Sequence, residues 1–450
     1  MTWTSASVRA ALELPATADA GRTFSAVSTD TRALPGGALF VAIAGQRFDG
    51  HAHLAEAAER GALGAVVRAG TPPCADLELF EVPDTVAALG WLARARRRQM
   101  TGPVVAVTGT NGKTSTKEML AAALRTRYRV HATRANLNNL IGVPLTILEA
   151  PDDAEALVVE AGASVPGEIG RYRQIIEPTV AVVTNVGAGH LEGFGSLEGV
   201  LAEKLSLLEG VPLAVVGTDP PALTAGARRL ARRVVTAGLD TAELRPESVV
   251  LDAGGRATVV TDQGRFTLPL PGRHLAANAM LVWAVSIHLG LDPRAVARAL
   301  ERLEVPGGRG QLVETGGLTI LNDCYNANPL SFRAAIETAR AMRGDRRLVF
   351  VAGTMRELGR ESAALHADIA QSLVALRPDL LAAVGEFVPA LEAHRAELGD
   401  RLIVAADVLA LGRALAPRLE GGELVVLKAS RGVALERIIP LLTPRAAHGP

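Results

Sequence analysis

Cysteine is nearly absent: Cys74 and Cys324 are the only two in 450 residues. No disulfide framework supports this fold, and a reducing compartment is expected. Aromatic residues make up 3% of the chain, which leaves Ala, Val and Leu to fill the interior and suits α/β layers with closely packed helices. Neither sign of charge is in excess, since 47 basic and 47 acidic residues give a formal net charge of zero. That balance argues against a general nucleic-acid binder. No apolar run is long enough to span a bilayer. The opening MTWTSASVRAALEL lacks a basic start followed by an apolar stretch, so no export signal is expected. A soluble cytoplasmic protein without membrane insertion is the expectation. Internal repeats and low-complexity segments are also missing.

What is there is concentrated between Val104 and Thr116, which read VVAVTGTNGKTST. A short apolar strand runs into a Gly-Lys-Thr loop that becomes a helix, the context a phosphate-binding loop requires. Glycines at 109 and 112 allow the tight turn and let an anion approach the backbone N–H groups. The helix starting near Lys113 aims its positive end at the same point. The strict motif wants a further glycine upstream of Gly112, where Val107 and Thr108 stand instead, so this is a shortened variant. Thr108, Gly109, Thr110, Asn111, Gly112, Lys113, Thr114 and Ser115 are the expected nucleotide-binding segment. Lys113 serves the β/γ-phosphates there, and Thr114 holds Mg²⁺.

The chain exceeds one ordinary core and suggests roughly two to four domains. Residues 1–98 alternate short strands (Leu39–Ile43, Ala65–Val67) with helical stretches such as Ala52–Arg60, until Gln99-Met100-Thr101-Gly102-Pro103 breaks the pattern. Residues 99–305 carry the phosphate loop and strands at Val104–Val107, Leu157–Glu160, Val180–Thr184 and Leu213–Val216, separated by helices. Such alternation predicts a parallel sheet with ligands at the carboxyl ends of the strands. Hairpins follow between Glu247 and Leu270, then a helix from His274 to Leu289. Val305-Pro306-Gly307-Gly308-Arg309-Gly310 reads as a hinge. Residues 306–450 then hold strands at Leu318–Leu321, Leu348–Val351, Leu380–Val384, Leu402–Ala405 and Leu424–Leu427, a second nucleotide-fold-like unit.

Two polar residues fall at central strand ends. Glu160 closes LVVE, and His190 follows TVAVVTNVGAG; both fit a Mg²⁺ site completed by nucleotide phosphates. Lys204, among Leu201, Leu205 and Leu208 on an amphipathic helix, reads by itself as a surface lysine. The amide-rich tract Thr133-Arg134-Ala135-Asn136-Leu137-Asn138-Asn139 is either a turn former or a wall of the γ-phosphate side. Asn322-Asp323-Cys324-Tyr325-Asn326-Ala327-Asn328-Pro329 gathers polar groups at a strand end, and Cys324 has no nearby base that would make it a nucleophile. His51 and His53 read as loop residues rather than a metal site. The run Arg94, Arg96, Arg97 and Arg98 reads as the solvated last turn of a helix.

Taken together, these segments resemble the Mur ligases, the ATP-dependent amide-forming enzymes of peptidoglycan synthesis. TGTNGKTS is common to the whole superfamily, folylpolyglutamate synthases included. The resemblance is narrowed by STDTR (Ser28–Arg32), LFVAIAGQRFDGH (Leu39–His51), NLNNLIGVPLTIL (Asn136–Leu148), GHLEGFGS (Gly189–Ser196), CYNANP (Cys324–Pro329) and AGTMRELGRES (Ala352–Ser362). They point to the branch that joins D-alanyl-D-alanine to UDP-N-acetylmuramoyl-tripeptide.

The resemblance implies three α/β domains: a central phosphate-loop domain with a parallel sheet, flanked by an N-terminal α/β substrate domain and a C-terminal Rossmann-like domain that takes the dipeptide. It implies ATP, a pair of Mg²⁺ ions and a monomer acting without nucleic acid. Asp30, Thr31, Arg32 and Arg47 are implied at the uridine diphosphate, with Asn136 and Asn139 also on the substrate. Thr114, Glu160, His190 and a carbamylated Lys204 are the implied metal ligands, and Lys113, Lys204, His190 and Asn138 the catalytic set. Asn278 is implied at the adenine, with Arg309, Asp323, Tyr325 and Asn326 reaching the nucleotide across the hinge. The chain departs from the family pattern at Cys324, Leu275, Ala429 and Thr354. The implied reaction runs through an acyl phosphate and a tetrahedral intermediate. Rival readings are another superfamily ligase, a non-catalytic nucleotide-binding protein or a simple NTPase.

Overall fold

The computed structural model describes residues 2–17, 21–45, 48–74, 76–304 and 307–442. The expected hinge residues Val305 and Pro306 lie outside them. Five runs, VVAVT, ALVVE, LVFVA, LLAAV and LVVLK, are strands buried at every position. Continuous apolar runs of this kind belong to parallel strands covered on both faces, and the branched side chains favour extended backbone.

In the central part, six parallel strands lie in the order Val234–Thr236, Leu213–Val216, Val180–Val183, Val104–Thr108, Ala156–Glu160, Val130–Ala132. The phosphate-loop strand Val104–Thr108 sits in the middle. After it the chain builds the Ala156–Glu160 side first and the Val180–Val183 side second, so the strand order reverses here. A crevice at the carboxyl ends results, the usual place for a ligand in such sheets. Helix Lys113–Leu124 leaves the loop and buries Met119, Leu120, Ala123 and Leu124, as the apolar spacing predicts. Against it packs the helix Arg273–His288. The expected hairpins are the antiparallel strands Ser248–Leu251, Arg256–Thr261 and Gly264–Pro271, and Phe266 stacks on Trp283 of that helix, ring centroids 5.4 Å apart.

Four parallel strands form the N-terminal sheet in chain order: Val27–Ser28, Leu39–Val41, Gly64–Arg68 and Glu78–Val82. Helix Thr85–Arg97 starts at Asp84, whose carboxylate accepts from the N–H groups of Val86 and Ala87. It then packs on the central helices Gly142–Leu148 and Glu168–Ile176. Its basic end corrects the solvated-turn expectation. Arg96 and Arg97 are buried; Arg96 donates to the carbonyls of Ala150 and Pro151, and Arg97 to those of Ile176, Glu177 and Met100. Arg94 and Arg98 pair with Glu177. The run clamps two domains together.

The C-terminal sheet has the order Gln311–Thr315, Leu318–Asp323, Leu424–Lys428, Leu348–Ala352, Leu380–Val384, Leu402–Ala405, with its first pair antiparallel and the rest parallel. The loops after Asp323 and Ala352 meet the central crevice. The apolar interior is continuous across the junction, joining Val186, Leu191 and Phe194 to Ala327 and Leu358.

Candidate active site

The phosphate loop is a backbone turn held from behind. Gly109 and Gly112 have φ of 145° and 78°, left-handed values that favour glycine. A Cβ at 109 would lie 2.0 Å from Thr184 Oγ1, and one at 112 would lie 2.6 Å from Asn278 Nδ2. Both glycines are therefore required by packing as well as by conformation. Asn111 is fixed at both backbone atoms: its N–H donates to Asn185 Oδ1 at 3.0 Å, and its carbonyl accepts from Thr184 Oγ1 and Asn185 Nδ2. The Thr110 N–H donates to the Asn185 carbonyl, and Thr110 Oγ1 accepts from the Gly187 N–H. Thr114 and Ser115, in the first helical turn, are buried. Thr108 ends the strand instead of lining the loop, and its hydroxyl donates to the Ala161 carbonyl at 2.8 Å.

Lys113 folds back under the loop, its ammonium donating to the carbonyls of Gly109 at 2.8 Å and Thr110 at 3.0 Å. Burial pushes its pKa down and the nearby Arg309 charge adds to that, while Glu160 acts the other way. Glu160 is 2% exposed. Its Oε1 accepts from Asn138 Nδ2 at 2.8 Å, whereas Oε2 is buried with no partner among the described residues. A half-satisfied carboxylate at this depth suits a hard cation. The Glu160 N–H donates to Thr133 Oγ1, and the Thr133 carbonyl accepts from the wholly buried Lys117. Sequence reasoning passed over Lys117, which reads as an ordinary helix-surface lysine.

Lys204 contradicts its reading as a surface residue. It is 1% exposed, with its ammonium 5.2 Å from the centroid of the Phe194 ring. Among the described residues no carboxylate forms an ion pair with it, for neighbouring Glu203 is spent on the N–H groups of Gly167 and Ile169. Dehydration, followed by repulsion from Lys113, holds its pKa down at about 7, with Glu203 and Glu168 opposing. Lys113, Glu160 and Lys204 thus form one electrostatic cluster at the ends of the central strands.

The C-terminal loops meet the phosphate loop and the segment around His190. His190 Nδ1 pairs with the Glu357 carboxylate, and both residues hold left-handed backbones, with φ of 56° and 64°. The Glu192 N–H donates to the Glu357 carbonyl. Asn111 and Asn328 exchange two amide hydrogen bonds, of 3.0 and 2.7 Å. The Arg309 guanidinium lies 3.6 Å from the Tyr325 ring centroid, and Tyr325 N–H donates to the Gly308 carbonyl. Buried Lys428 pairs with Asp323 at 2.8 Å and donates to the Asn326 carbonyl, which holds the polar tract in place. Glu357, Asn328 and Lys428 were missed. For Glu357 and Asn328 the signal was membership of the AGTMRELGRES and CYNANP segments; Lys428, at the end of an apolar strand, gave none.

Other expected residues stand apart from this cluster. Asp30 starts the turn Thr31–Ala33 and pairs with Arg32 at 2.7 Å, which lowers its pKa to about 2. Arg47 lies outside the described residues. Asn139 spends its carbonyl oxygen on the Ile141 and Gly142 N–H groups, and Asn136 is exposed. Cys324 is buried and its thiol pKa is pushed up by burial, in keeping with an inert role. His51 pairs with Asp49 and accepts from the Arg68 N–H, as a loop residue would. Among the described residues, no three or more His, Cys, Asp and Glu gather as a metal cage. Any cation here would lean on Glu160, His190, Thr114, a modified Lys204 and phosphate oxygens.

Fold and site define a phosphate-loop protein whose loop meets the C-terminal domain through Asn111 and Asn328. Family models match three consecutive stretches: "Mur ligase family, catalytic domain" over residues 23–97, "Mur ligase middle domain" over 107–286 and "Mur ligase, glutamate ligase domain" over 308–431. This chain belongs to the Mur ligase family. It is 34% identical over 425 residues to the UDP-N-acetylmuramoyl-tripeptide–D-alanyl-D-alanine ligase of Bacillus subtilis, covering 92% of each chain. With the Escherichia coli protein of the same name it shares 36% over 434 residues, covering 93% of this chain and 94% of that one. A crystal structure of MurF from Acinetobacter baumannii superposes with a TM-score of 0.87 at 29% identity, covering 98% of this chain and 99% of that one. MurF from Thermotoga maritima in complex with ADP gives 0.81 at 30% identity, covering 93% and 97%.

Proposed function

We propose that this chain joins D-alanyl-D-alanine to UDP-N-acetylmuramoyl-tripeptide at the expense of ATP, as a cytoplasmic monomer in peptidoglycan synthesis. The observation that carries the reading is the cluster of half-buried Lys113 with buried Glu160 and Lys204 near the central strand ends, in a chain about one-third identical to ligases of that name. Residues 1–98 take the uridine end of the muramyl substrate, 99–305 the ATP and 306–450 the dipeptide. No described helix is long and apolar enough to cross a membrane, in keeping with soluble substrates.

A carboxylate does not react with an amine at a useful rate, because it has no adequate leaving group. Transfer of the γ-phosphoryl group to the tripeptide carboxylate forms an acyl phosphate and ADP. The dipeptide amine then attacks the acyl carbon, and the tetrahedral intermediate collapses as its C–O bond to phosphate breaks and the amine loses a proton. Lys113 exchanges its bonds to the Gly109 and Thr110 carbonyls for phosphate oxygens. Backbone N–H groups at the first turn of the Lys113–Leu124 helix receive the negative charge. Asn138 orients Glu160, and Glu357 orients His190.

Thr114, Glu160, His190 and a carbamylated Lys204 would hold a pair of Mg²⁺ ions, which would supply positive charge against the transferring phosphoryl group. Carbamylation needs a neutral amine to attack CO₂, and a Lys204 pKa of about 7 keeps a large fraction neutral near pH 7. Covering the site with the 323–328 and 353–358 loops keeps water from the acyl phosphate.

The test is phosphate release from Mg-ATP with UDP-N-acetylmuramoyl-tripeptide, with and without D-alanyl-D-alanine and with single amino acids as controls. Release only with the dipeptide, with a pentapeptide product by mass, is expected. Release with a single amino acid moves the chain to another branch of the family. No release under any condition refutes the ligase reading.

A further inference from the structure

Asn328 does two jobs that are separable by chemistry. It caps the helix Pro329–Arg343: its Oδ1 accepts from the Ser331 N–H at 2.9 Å, and its own N–H donates to Ser331 Oγ at 3.0 Å. Capping needs one side-chain oxygen, which Ser, Thr or Asp supplies as well. The amide nitrogen is surplus to the cap. It donates to Asn111 Oδ1 at 2.7 Å, and Asn111 Nδ2 donates back to Asn328 Oδ1 at 3.0 Å. The Ser331 N–H fixes which end of the Asn328 amide is oxygen, so the orientation of the pair is determined by its surroundings. Asn328 is 3% exposed, and 217 residues separate the partners.

Asn111 is the residue whose backbone N–H and carbonyl are both held by Thr184 and Asn185 at the heart of the phosphate loop. Its side chain is therefore a rigid extension of the loop, and it reaches a side chain of the C-terminal domain. We propose that Asn328 is a positioning residue for the phosphate loop: its amide reads the Asn111 amide and ties the nucleotide-binding shape of the loop to docking of the C-terminal domain. This rests on the loop being the nucleotide site. Because coupling between two events is reciprocal, docking favours nucleotide binding and nucleotide binding favours docking. Two neutral hydrogen bonds at roughly 1 kcal/mol each correspond to about a tenfold or greater effect.

The experiment is a double-mutant cycle on the full chain, reading Mg-ADP affinity by calorimetry, domain docking by small-angle scattering with and without Mg-ADP, and the melting midpoint. Asn328→Ser keeps an oxygen for the Ser331 N–H but is too short to reach Asn111, while Asn328→Asp keeps length and cap and loses the donor. Both should melt near the native midpoint, bind Mg-ADP about tenfold more weakly and show a less compact bound state. Asn111→Ser should lose a similar factor, and Asn111→Ser combined with Asn328→Ser no more than about twofold beyond the worse single variant. Native affinity in both Asn328 variants, or losses that multiply to about a hundredfold in the double variant, would overturn the proposal. So would weakened binding seen only where the midpoint also falls. A native chain that binds Mg-ADP but makes no pentapeptide strikes the ligase reading alone and leaves this cycle to be judged on its own numbers.

Discussion

Replacing Lys204 by methionine should remove activity and, at the same time, make the protein more stable. The lysine is 1% exposed, and its pKa falls from the ordinary 10.5 to about 7. At ~1.4 kcal/mol per pH unit, that difference corresponds to about 5 kcal/mol against the charged form in the folded state. The sign follows from which state binds the proton. Below pH 7 both states are protonated and the full cost applies. Between pH 7 and 10.5 only the unfolded chain holds the proton, so stability rises with pH, and above 10.5 the cost is gone. Methionine keeps the unbranched stem and places a sulfur near the Phe194 ring, a favourable contact. In CO₂-free buffer, Lys204→Met should therefore gain several kcal/mol at pH 7 and only about 2 kcal/mol at pH 9. For a domain of this size the neutral-pH gain corresponds to a melting midpoint higher by on the order of 10 °C. Thermal unfolding at both pH values, beside phosphate release, tests this. A midpoint equal to or below the native one at pH 7, or a gap that does not narrow toward pH 9, would refute a buried, uncompensated amine.

Glu160→Gln keeps an oxygen for Asn138 and removes only the charge, so it should lower turnover at least about a hundredfold with a near-native melting midpoint; retained phosphate release would remove Glu160 from the site. Gly112→Ala places a methyl group 2.6 Å from Asn278 Nδ2 on a backbone with φ of 78°. It should cost about 1–3 kcal/mol of stability and weaken Mg-ADP binding measured by calorimetry, an effect that native affinity would deny. Buried His366 accepts the Met355 N–H on Nε2 at 2.9 Å, and its Nδ1 faces the Ser362 carbonyl at 2.8 Å and Glu386. Burial lowers its pKa, so its contribution is complete above the unfolded value of about 6.5 and is lost as pH falls below it. Urea midpoints of the native chain should decline more steeply below pH 6.5 than those of His366→Leu, and parallel curves would exclude His366 as the cause.

The phosphate loop was legible because its requirements are local: glycines for left-handed backbone, a lysine and a helix start within a few residues of one apolar strand. The central parallel sheet was legible for a similar reason, since strands buried on both faces leave unbroken apolar runs. Lys204 and the Arg94–Arg98 run were misread by residue pattern alone, for the same physical reason. Both lie on helices whose polar faces meet another element, so periodicity shows a polar stripe but not what covers it. The short strands Val27–Ser28, Val130–Ala132 and Val234–Thr236 carry too few residues for any period to emerge. Asn328 reads as a turn residue before proline, and nothing nearby in sequence reveals that its amide nitrogen has a partner in the phosphate loop.

The two junctions that flank the central domain are built from different chemistry, and this bears on which of them can open. On the N-terminal side, guanidinium groups of Arg96 and Arg97 donate to main-chain carbonyls, and Arg94 and Arg98 share Glu177. Hydrogen bonds from a charged donor are worth roughly twice neutral ones. On the C-terminal side the side-chain pairs are the neutral Asn111–Asn328 contact and the partly exposed His190–Glu357 contact, beside one main-chain bond from the Glu192 N–H to the Glu357 carbonyl, and water replaces bonds of these kinds at smaller cost. A ligase that must admit a large substrate and then exclude water from an acyl phosphate needs one junction that yields and one that holds. The bond types assign yielding to the C-terminal domain, the side that carries Asn328 and Glu357 toward the nucleotide loop. The weak contacts there are consistent with catalysis: a junction held as tightly as the arginine clamp would trap the product.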